Sequence, residues 1–436
     1  MEEYVNGLVA WDTIIPPHWE VCRFRQIFSF GRGINITKAD LQDEGLPCVT
    51  YGDIHSRFGF ELKPEIHTLR CVDTSFATSN PASMLHYGDF IFADTSEDVA
   101  GSGNFTYLNS EVPTIAGYHT VVARPHLSNL SRFLAYVFDS VTFRAQVGSN
   151  VYGIKVFSIT QSILKNTRFP MPPLDEQAYL VAYLDRRTAE IDSLLINLQS
   201  QAEMLDRYKR ELIAGAVTKG LDKSAAVKDS GVDWIGDAPS HWGITKIKWM
   251  FEIVKRIYGK EDRDVLSITQ RGLKVKDIQS NDGQLAESYA NYQMVNFNDF
   301  AMNSMDLLTG WVDCSSFEGV TSPDYRVFRF LPGKEQCHNY YKYLFQMCYK
   351  NRIFYRLGQG VSNLGRWRLQ ADQFLNMRFP QPPIEEQAKI AAYLDAKTAQ
   401  VEDLIADISE QIEKLKQYRQ IVIHDAITGK IKITEG

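Results

Sequence analysis

The sequence predicts an α+β protein in which two mixed α/β domains alternate with two long helices. The prediction depends on a long stretch that occurs twice, on the heptad spacing inside it, and on short β-like runs between glycine turns elsewhere. In chain order we expect a first domain at 1–168, a central helix at 169–220, a second domain at 221–378, and a C-terminal helix with a tail at 379–436.

The repeated stretch runs from Phe169 to Gly220 and again from Phe379 to Lys430, 210 positions further on and without a gap. Phe-Pro-x-Pro-Pro, Glu-Gln-Ala, Ala-Tyr-Leu-Asp and Thr-Ala recur letter for letter. A second motif also recurs, as WDTIIPPHW at 11–19 and WIGDAPSHW at 234–242. A repeat with a fixed period indicates one structural unit used twice, so we predict an internal pseudo-two-fold.

Both copies of the repeated stretch are typical of one long helix, because paired prolines suit a first turn and no further proline follows. An apolar alternation of the coiled-coil type runs through Leu184, Thr188, Ile191, Leu195, Leu198, Ala202 and Leu205, and through Leu394, Thr398, Val401, Ile405, Ile408, Ile412 and Leu415. A lone polar helix with such a seam is unstable in water. We therefore expect an antiparallel coiled coil between the two helices; a helical hairpin inside one compact core is the open alternative.

The segments between the helices alternate strand-like runs with polar loops, which are where binding residues tend to lie. In the first domain we predict strands within Pro47–Asp53, Phe90–Ala93 and Thr120–Ala123, a loop at Thr95–Asn104 and a helix at Arg132–Val147. In the second we predict strands within Asp264–Thr269, Phe297–Ala301 and Tyr325–Phe330, a helix at His338–Leu357, and loops at Gln270–Asp277 and Gly358–Arg368.

Composition favours a cytoplasmic protein without disulfides or membrane segments. No apolar run approaches the roughly 20 residues of a membrane span. The six cysteines are scattered without a Cys-x-x-Cys, which indicates thiols in a reducing compartment. The net charge is −6, so binding to nucleic acid would need local basic patches or a basic partner. Residues 221–378 carry a basic excess, with 21 basic and 18 acidic side chains.

Motifs of catalysis and metal binding are missing from the sequence. It contains no glycine-rich phosphate loop ending in Gly-Lys-Ser/Thr, no His-Glu-x-x-His, no Gly-x-Ser-x-Gly and no Asn/Asp-Pro-Pro-Tyr/Phe. We therefore expect a non-catalytic chain with no metal and no cofactor of its own.

Several short motifs together carry a family resemblance. They are Pro-Pro-x-x-Glu-Gln at 172–177 and 382–387, the Trp-x-x-x-x-Pro-x-His-Trp motifs, YGDI at 51–54, GDFIF at 88–92, AGYH at 116–119, NSM at 303–305 and SPDY at 322–325. With them the chain resembles, over essentially its whole length, the specificity subunits of type I restriction–modification systems.

The resemblance implies that each domain is a target-recognition domain for one half of a split sequence in double-stranded DNA. It also implies that the helices form the spacer and dock two modification subunits, which methylate adenine N6 with S-adenosylmethionine. Restriction subunits, acting as ATP- and Mg²⁺-dependent motor nucleases, would complete a host-defence complex. On this basis the cofactors belong to partner subunits.

The candidate DNA-binding residues lie in polar loops and are of the types that bind bases or phosphates. They are Arg32, Lys38, Tyr51, Arg57 and Ser96 in the first domain, and Gln270, Arg271, Lys274, Asn303, Arg366 and Arg368 in the second. Each is alternatively a solvated surface side chain, or for Tyr51 a packed one. The candidate partner-binding residues are Glu176, Gln177, Glu386 and Gln387.

Two other functions stay open on the sequence alone. One is a non-catalytic coiled-coil scaffold that carries two domains for ligands other than nucleic acid. The other is a self-contained methyltransferase, which would require the chain by itself to bind S-adenosylmethionine.

Overall fold

The computed structural model describes residues 4–5, 8–9, 11, 15–127, 130–153, 156–278, 286, 288–334, 336–358 and 367–431. The chain divides into two compact units. Unit 1 comprises Met1–Leu198 and Glu410–Gly436, and unit 2 comprises Gln199–Ser409. Each unit therefore contains a globular domain, here called domain 1 or domain 2, and a part of both long helices.

Domain 1 is built on two mixed sheets. The larger has five strands in the order Phe28–Arg32, Thr120–Pro125, Phe90–Ala93, Phe105–Leu108 and Phe60–Leu62. The smaller has four, in the order Cys71–Val72, Leu46–Val49, Thr114–Ala116 and Met84–Leu85. One neighbouring pair in each sheet is parallel and the others are antiparallel. Two short antiparallel ladders join Tyr4–Val5 to Leu8–Val9 and Thr95–Ser96 to Phe157–Ser158.

The helices of domain 1 are short. They are Phe24–Ile27, Tyr51–Ser56, Ser75–Ser79, Ser131–Asp139, Val141–Gly148 and Gln161–Asn166, with 3₁₀ turns at Lys38–Asp40 and Pro81–Ser83. The core between the large sheet and these helices is rich in phenylalanine: Phe24 and Phe138 stack at 5.1 Å, and Phe143 is fully buried beside them. Residues from both long helices complete this core.

Domain 2 has one four-stranded antiparallel sheet in the order Phe251–Val254, Arg326–Phe330, Phe300–Met302 and Val312–Cys314. Further antiparallel pairs join Leu266–Thr269 to Gly272–Val275, Gln293–Val295 to Gly319–Thr321, and Val227–Asp229 to Asp237–Pro239. Its helices are His338–Lys350, Ile353–Arg356 and Ala371–Asn376, with a 3₁₀ turn at Ile247–Trp249. Aromatic side chains again fill the core.

The first long helix is Leu174–Lys219 and the second is Ile384–Ile427. The Phe-Pro residues that open each repeat are strand: Arg168–Met171 pairs with Glu20–Arg23, and Arg378–Gln381 pairs with Gly243–Lys246. The repeat therefore includes a two-stranded ladder before each helix, as well as the predicted helix.

The predicted seam is confirmed by burial. In the first long helix Leu184, Thr188 and Ile191 are buried, whereas Leu194 and Ile196 outside the seam are exposed. Within each unit, the beginning of one long helix and the end of the other enter one core. These pairs are Leu180 with Ile427 in unit 1 and Ile390 with Val217 in unit 2. This order is that of the antiparallel pairing predicted from the sequence.

Several predicted elements are corrected at their ends. The strand at Pro47 ends at Val49, because Asp53 accepts hydrogen bonds from the Thr50 amide and hydroxyl at 3.0 and 2.8 Å and so begins a helix there. The predicted helix Arg132–Val147 is two helices, since Ser140 is extended at ψ 145° and caps the second through Phe143 N.

Two corrections apply to domain 2. The predicted helix His338–Leu357 is interrupted at Arg352, whose φ of +56° is left-handed. The predicted loop Gln270–Asp277 contains a strand, because Gly272 at φ +98° allows a tight hairpin turn.

Candidate functional site

Each long helix begins at a cluster of its first-turn glutamate with the His-Trp motif of the same repeat. In unit 1, Glu176 accepts hydrogen bonds from Trp19 Nε1 at 2.9 Å and from His18 Nε2 at 2.7 Å. The second repeat has the same cluster, with distances of 3.1 and 2.9 Å, formed by Glu386, Trp242 and His241. We call both the Glu–Trp–His cluster; it fixes each helix start to its own domain.

The end of the opposite long helix packs against each cluster. Gly429 follows the second helix at φ +68°, and a Cβ there would lie 3.3 Å from the Trp19 ring and 2.3 Å from Pro16. Gly220 follows the first helix at φ +74°, and its Cβ would lie 3.1 Å from the Trp242 ring. Glycine therefore permits both the left-handed helix ending and the close approach.

The predicted partner-binding glutamines are buried inside the chain. Gln177 is 5% exposed and donates to Pro172 O at 2.7 Å, and Gln387 is 0% exposed and donates to Pro382 O at 2.8 Å. Their described contacts, like those of Glu176 and Glu386, hold the starts of the long helices. A partner-binding role for these four residues stays a prediction.

Domain 1 carries a cleft of about 560 Å³ beside the helix Tyr51–Ser56, and most of the residues that line it are polar. The Tyr51 ring stands edge-on to His119 at 5.4 Å and lines the cleft. Below it, Asn104 Nδ2 donates to His55 Nδ1 at 2.8 Å, so His55 Nε2 carries the hydrogen that is donated to Thr95 O at 2.8 Å. This network connects three residues that line the cleft.

Sequence reasoning missed that network. Arg144 Nη1 completes it by donating to Asn104 Oδ1 at 2.6 Å. His55, Asn104 and Arg144 are 49 and 40 positions apart, and no spacing motif joins them. Their proximity is a product of the sheet order.

The other first-domain candidates are dispersed. Arg32 ends a sheet strand and Lys38 begins a 3₁₀ turn, both exposed. Arg57 is exposed but donates to Thr68 O at 2.9 Å and lies 3.4 Å from Asp53. Ser96 is 6% exposed and accepts from Asp98 N at 3.4 Å at the cleft wall. The structure brings Tyr51 and Ser96 to one cleft.

In domain 2, the hairpin Leu266–Thr269/Gly272–Val275 brings three candidates together. Gln270 and Arg271 form its turn and Lys274 lies on its second strand, all three exposed. The turn is fixed because Leu273 N donates to Asp313 Oδ2 at 2.9 Å.

The remaining candidates of domain 2 are Asn303, Arg366 and Arg368. Asn303 Oδ1 accepts from Met305 N at 3.2 Å and from Asp306 N at 3.3 Å, which fixes the turn that follows it. Arg368 is exposed and contacts the Met305 sulfur. Arg366 lies outside the described residues.

Burial shifts the pKa of two cysteines and one arginine. Desolvation raises the pKa of the Cys48 and Cys314 thiols to about 12 each, so both are protonated at neutral pH. Desolvation also lowers the pKa of the Arg326 guanidinium to about 10. Over the described ranges, no group of three His, Cys, Asp or Glu side chains is arranged to hold a metal. None of the helices there has the length and apolar character for crossing a membrane.

Comparison with family models identifies both halves of the chain. Residues 16–203 and 239–414 each match the model of the type I restriction modification DNA specificity domain. The two matches together cover most of the 436 residues.

Known relatives align along nearly the full length. A putative type I restriction enzyme MjaX specificity subunit of Methanocaldococcus jannaschii is 23% identical over 96% of this chain and 95% of its own. The StySPI specificity subunit of Salmonella potsdam is 19% identical over 96% and 90%. The EcoKI specificity subunit of Escherichia coli is 22% identical over 48% of this chain and 44% of its own.

A solved structure has a similar fold. One chain of a structure described as the basis of complex assembly and conformational transition of the type I R-M system superposes with a TM-score of 0.67. That alignment covers 96% of this chain and 99% of the other at 16% identity.

Proposed function

We propose that this chain, which belongs to the type I restriction–modification DNA specificity family, recognises a split DNA target with one half-site for each domain. It is a specificity subunit with two target-recognition domains. The observation that carries the proposal is the duplicated frame: the same ladder, helix start and Glu–Trp–His cluster support two domains whose sheets and loops differ. One frame with two different surfaces suits two different half-site sequences.

The surfaces that would recognise bases are the polar cleft of domain 1 and the hairpin turn of domain 2. Tyr51 and Gln270 offer donors, acceptors and a ring edge of the kinds that bind base edges in the major groove. The exposed Lys38 and Lys274 suit phosphates, which position a protein without specifying sequence.

Chemistry in such a complex would be supplied by partner subunits. The proposal assigns adenine-N6 methylation, with S-adenosylmethionine, to two modification subunits docked along the long helices. Cleavage, with ATP and Mg²⁺, is assigned to restriction subunits.

Methylome sequencing tests the proposal. In a methylation-free host, the chain and its modification subunit together should methylate adenine in a split motif, and neither should do so alone. An assembled complex without new methylation would favour a scaffold. A continuous motif methylated by this chain alone would place an active site on it.

A further inference from the structure

Unit 2 contains a cleft of about 370 Å³ between the long helices and domain 2. Its walls come from both long helices, from the hairpin turn at Arg271 and from the helix His338–Lys350. It is therefore lined partly by the repeated frame and partly by the domain that differs between the repeats.

Three cations line this cleft without an ionic partner in the described part of the chain: Arg271, Lys342 and Lys350. Arg271 is exposed on the hairpin turn. Lys342 is half-buried and its Nζ lies 5.3 Å from the centre of the Tyr343 ring, and Lys350 Nζ lies 5.4 Å from the centre of the Trp311 ring. Both ammonium groups therefore lie beside aromatic rings that also line the cleft.

The carboxylates of the cleft already have partners. Glu402 lies 3.4 Å from Lys209, and Asp206 lies 3.3 Å from Arg210. Asp313 accepts from the backbone amides of the hairpin and its own strand, both at 2.9 Å. Because neutral amides do not cancel the charge of Asp313, it offsets one of the three cations, and the lining keeps an excess of positive charge.

Unit 1 supplies an internal comparison, because its helix Ser131–Asp139 occupies the place of His338–Lys350. Tyr136 donates to Asp185 on the first long helix, and Tyr343 donates to Asp395 on the second. The two tyrosines are 207 positions apart and the two aspartates are the 210 positions of the repeat apart. This shared contact aligns Ser131–Asp139 of unit 1 with His338–Lys350 of unit 2 at an offset of 207 positions.

At the equivalent place in unit 1, the cation is paired with carboxylates of the same unit. Arg419, equivalent to Lys209, binds Asp192 at 3.2 Å and also Asp139 of domain 1 at 2.8 Å. By the 207 offset, Asp139 becomes the neutral Gln346 in unit 2, whose Nε2 donates to Asp313 Oδ1 at 3.4 Å. By the same offset, the buried Ala135 becomes Lys342. At these two helix positions, unit 2 has a neutral residue in place of an anion and a cation in place of an alanine.

We propose that the cleft of unit 2 is a phosphate-binding site that holds the DNA backbone, so that the two domains contribute unequally to sequence-independent affinity. A guanidinium group and two ammonium groups can donate charge-assisted hydrogen bonds to phosphate oxygens. The identity of the phosphate as DNA backbone rests on the proposed function. Arg271 then contacts phosphate, and the domain 2 side of the target supplies the larger share of the salt-dependent binding.

The test measures duplex affinity against salt for the chain assembled with its modification subunits. Lys342→Gln, Lys350→Gln and Arg271→Gln should each make the slope of log affinity against log salt shallower by about 0.9 for each lost phosphate contact. At 0.1 M salt this corresponds to about 8-fold weaker binding. The loss should be equal on target DNA and on DNA that lacks the target.

Two controls accompany these variants. Lys334→Gln removes a cation that lies before the start of the same domain 2 helix, away from the cleft, and should leave the slope unchanged. Lys342→Arg keeps the charge and should keep the slope. If substitution at this position simply unfolded the domain, Lys342→Arg and Lys342→Gln would both lose binding.

Three results would overturn the proposal. Unchanged slopes in all three Gln variants would exclude a backbone contact. A loss confined to target DNA would mean base recognition. Stabilisation of the wild-type chain by inorganic pyrophosphate, lost in the variants while duplex binding is kept, would identify free phosphate as the ligand. Failure of the proposed function is separate, since the wild-type complex would then lack sequence preference whatever its slopes.

Discussion

At the residue scale, the Glu–Trp–His cluster explains why the start of each long helix is fixed. A buried indole N–H has to find an acceptor, and Trp19 is 6% exposed with Glu176 as its described partner. The same glutamate carries negative charge in the first helical turn, where the helix dipole favours it.

Removal of that acceptor is expected to destabilise unit 1. Glu176→Ala leaves the Trp19 N–H buried and unpaired, at a cost of about 1–3 kcal/mol, which a urea titration would detect as a lower midpoint. The matched control is Asp175→Ala, because Asp175 lies in the same turn and is exposed. If Glu176→Ala and Asp175→Ala lowered the urea midpoint equally, Glu176 would stabilise the helix start only through its charge.

We expect Glu61 to make unit 1 sensitive to acid. Burial alone would raise its pKa, but hydrogen bonds from Asn109, Lys63 and Tyr107 and the charge of Arg132 outweigh burial and lower the pKa. A lowered folded-state pKa contributes stability above the unfolded value of about 4.3, which is lost as pH falls through the folded value. Glu61→Gln should therefore flatten the fall in unfolding free energy below about pH 4.5.

The control for that pH profile is Glu97→Gln, because Glu97 is exposed at the domain 1 cleft. It should retain the wild-type acid profile. A Glu61→Gln profile as steep as the wild type would assign the acid sensitivity to other carboxylates.

At the scale of elements, sequence periodicity predicted the two long helices. It missed the helix break and the hairpin turn, each of which depends on the backbone at one residue. The long helices and their seam follow from heptad spacing. The break at Ser140 does not, because its residues continue an amphipathic pattern and the serine cap decides the ending. The hairpin at Gly272 was missed for a similar reason, because the chain reversal within the basic stretch depends on one glycine with left-handed φ.

The seam also makes a prediction about target geometry. Deletion of one heptad from each long helix, at 192–198 and 402–408, keeps the a/d phase and shortens each helix by about 10 Å. The gap between half-sites should shrink by about three base pairs while both half-site sequences stay the same. Methylome sequencing measures this directly, and an unchanged gap would show that the helices do not set the distance.

At the scale of the whole molecule, the duplication separates a shared frame from two specific surfaces. The sequence predicted the frame well because its motifs recur with a constant offset. It predicted the surfaces poorly, since cleft partners such as His55 and Arg144 are brought together only by the sheet order. Motif spacing also gave no sign that Gln177 and Gln387 are buried.

Exchange of one surface should leave the other half of the target unchanged. Replacement of residues 20–168 by the matching domain of a relative should change one half-site and retain the other, because domain 2 has its own sheet and core. A change in both half-sites would mean that the domains recognise DNA jointly.

The discontinuity of unit 1 has a consequence for biosynthesis. Unit 2 is one continuous segment, so it can close once Ser409 has left the ribosome. Unit 1 must wait for Val422, Ile423 and Ile427, which complete its core, and for a hydrogen bond between Thr142 and His424 that spans 282 positions. Contacts so distant in sequence form slowly. The domain made first is therefore finished last, because its core stays incomplete until the end of the second long helix has been synthesised.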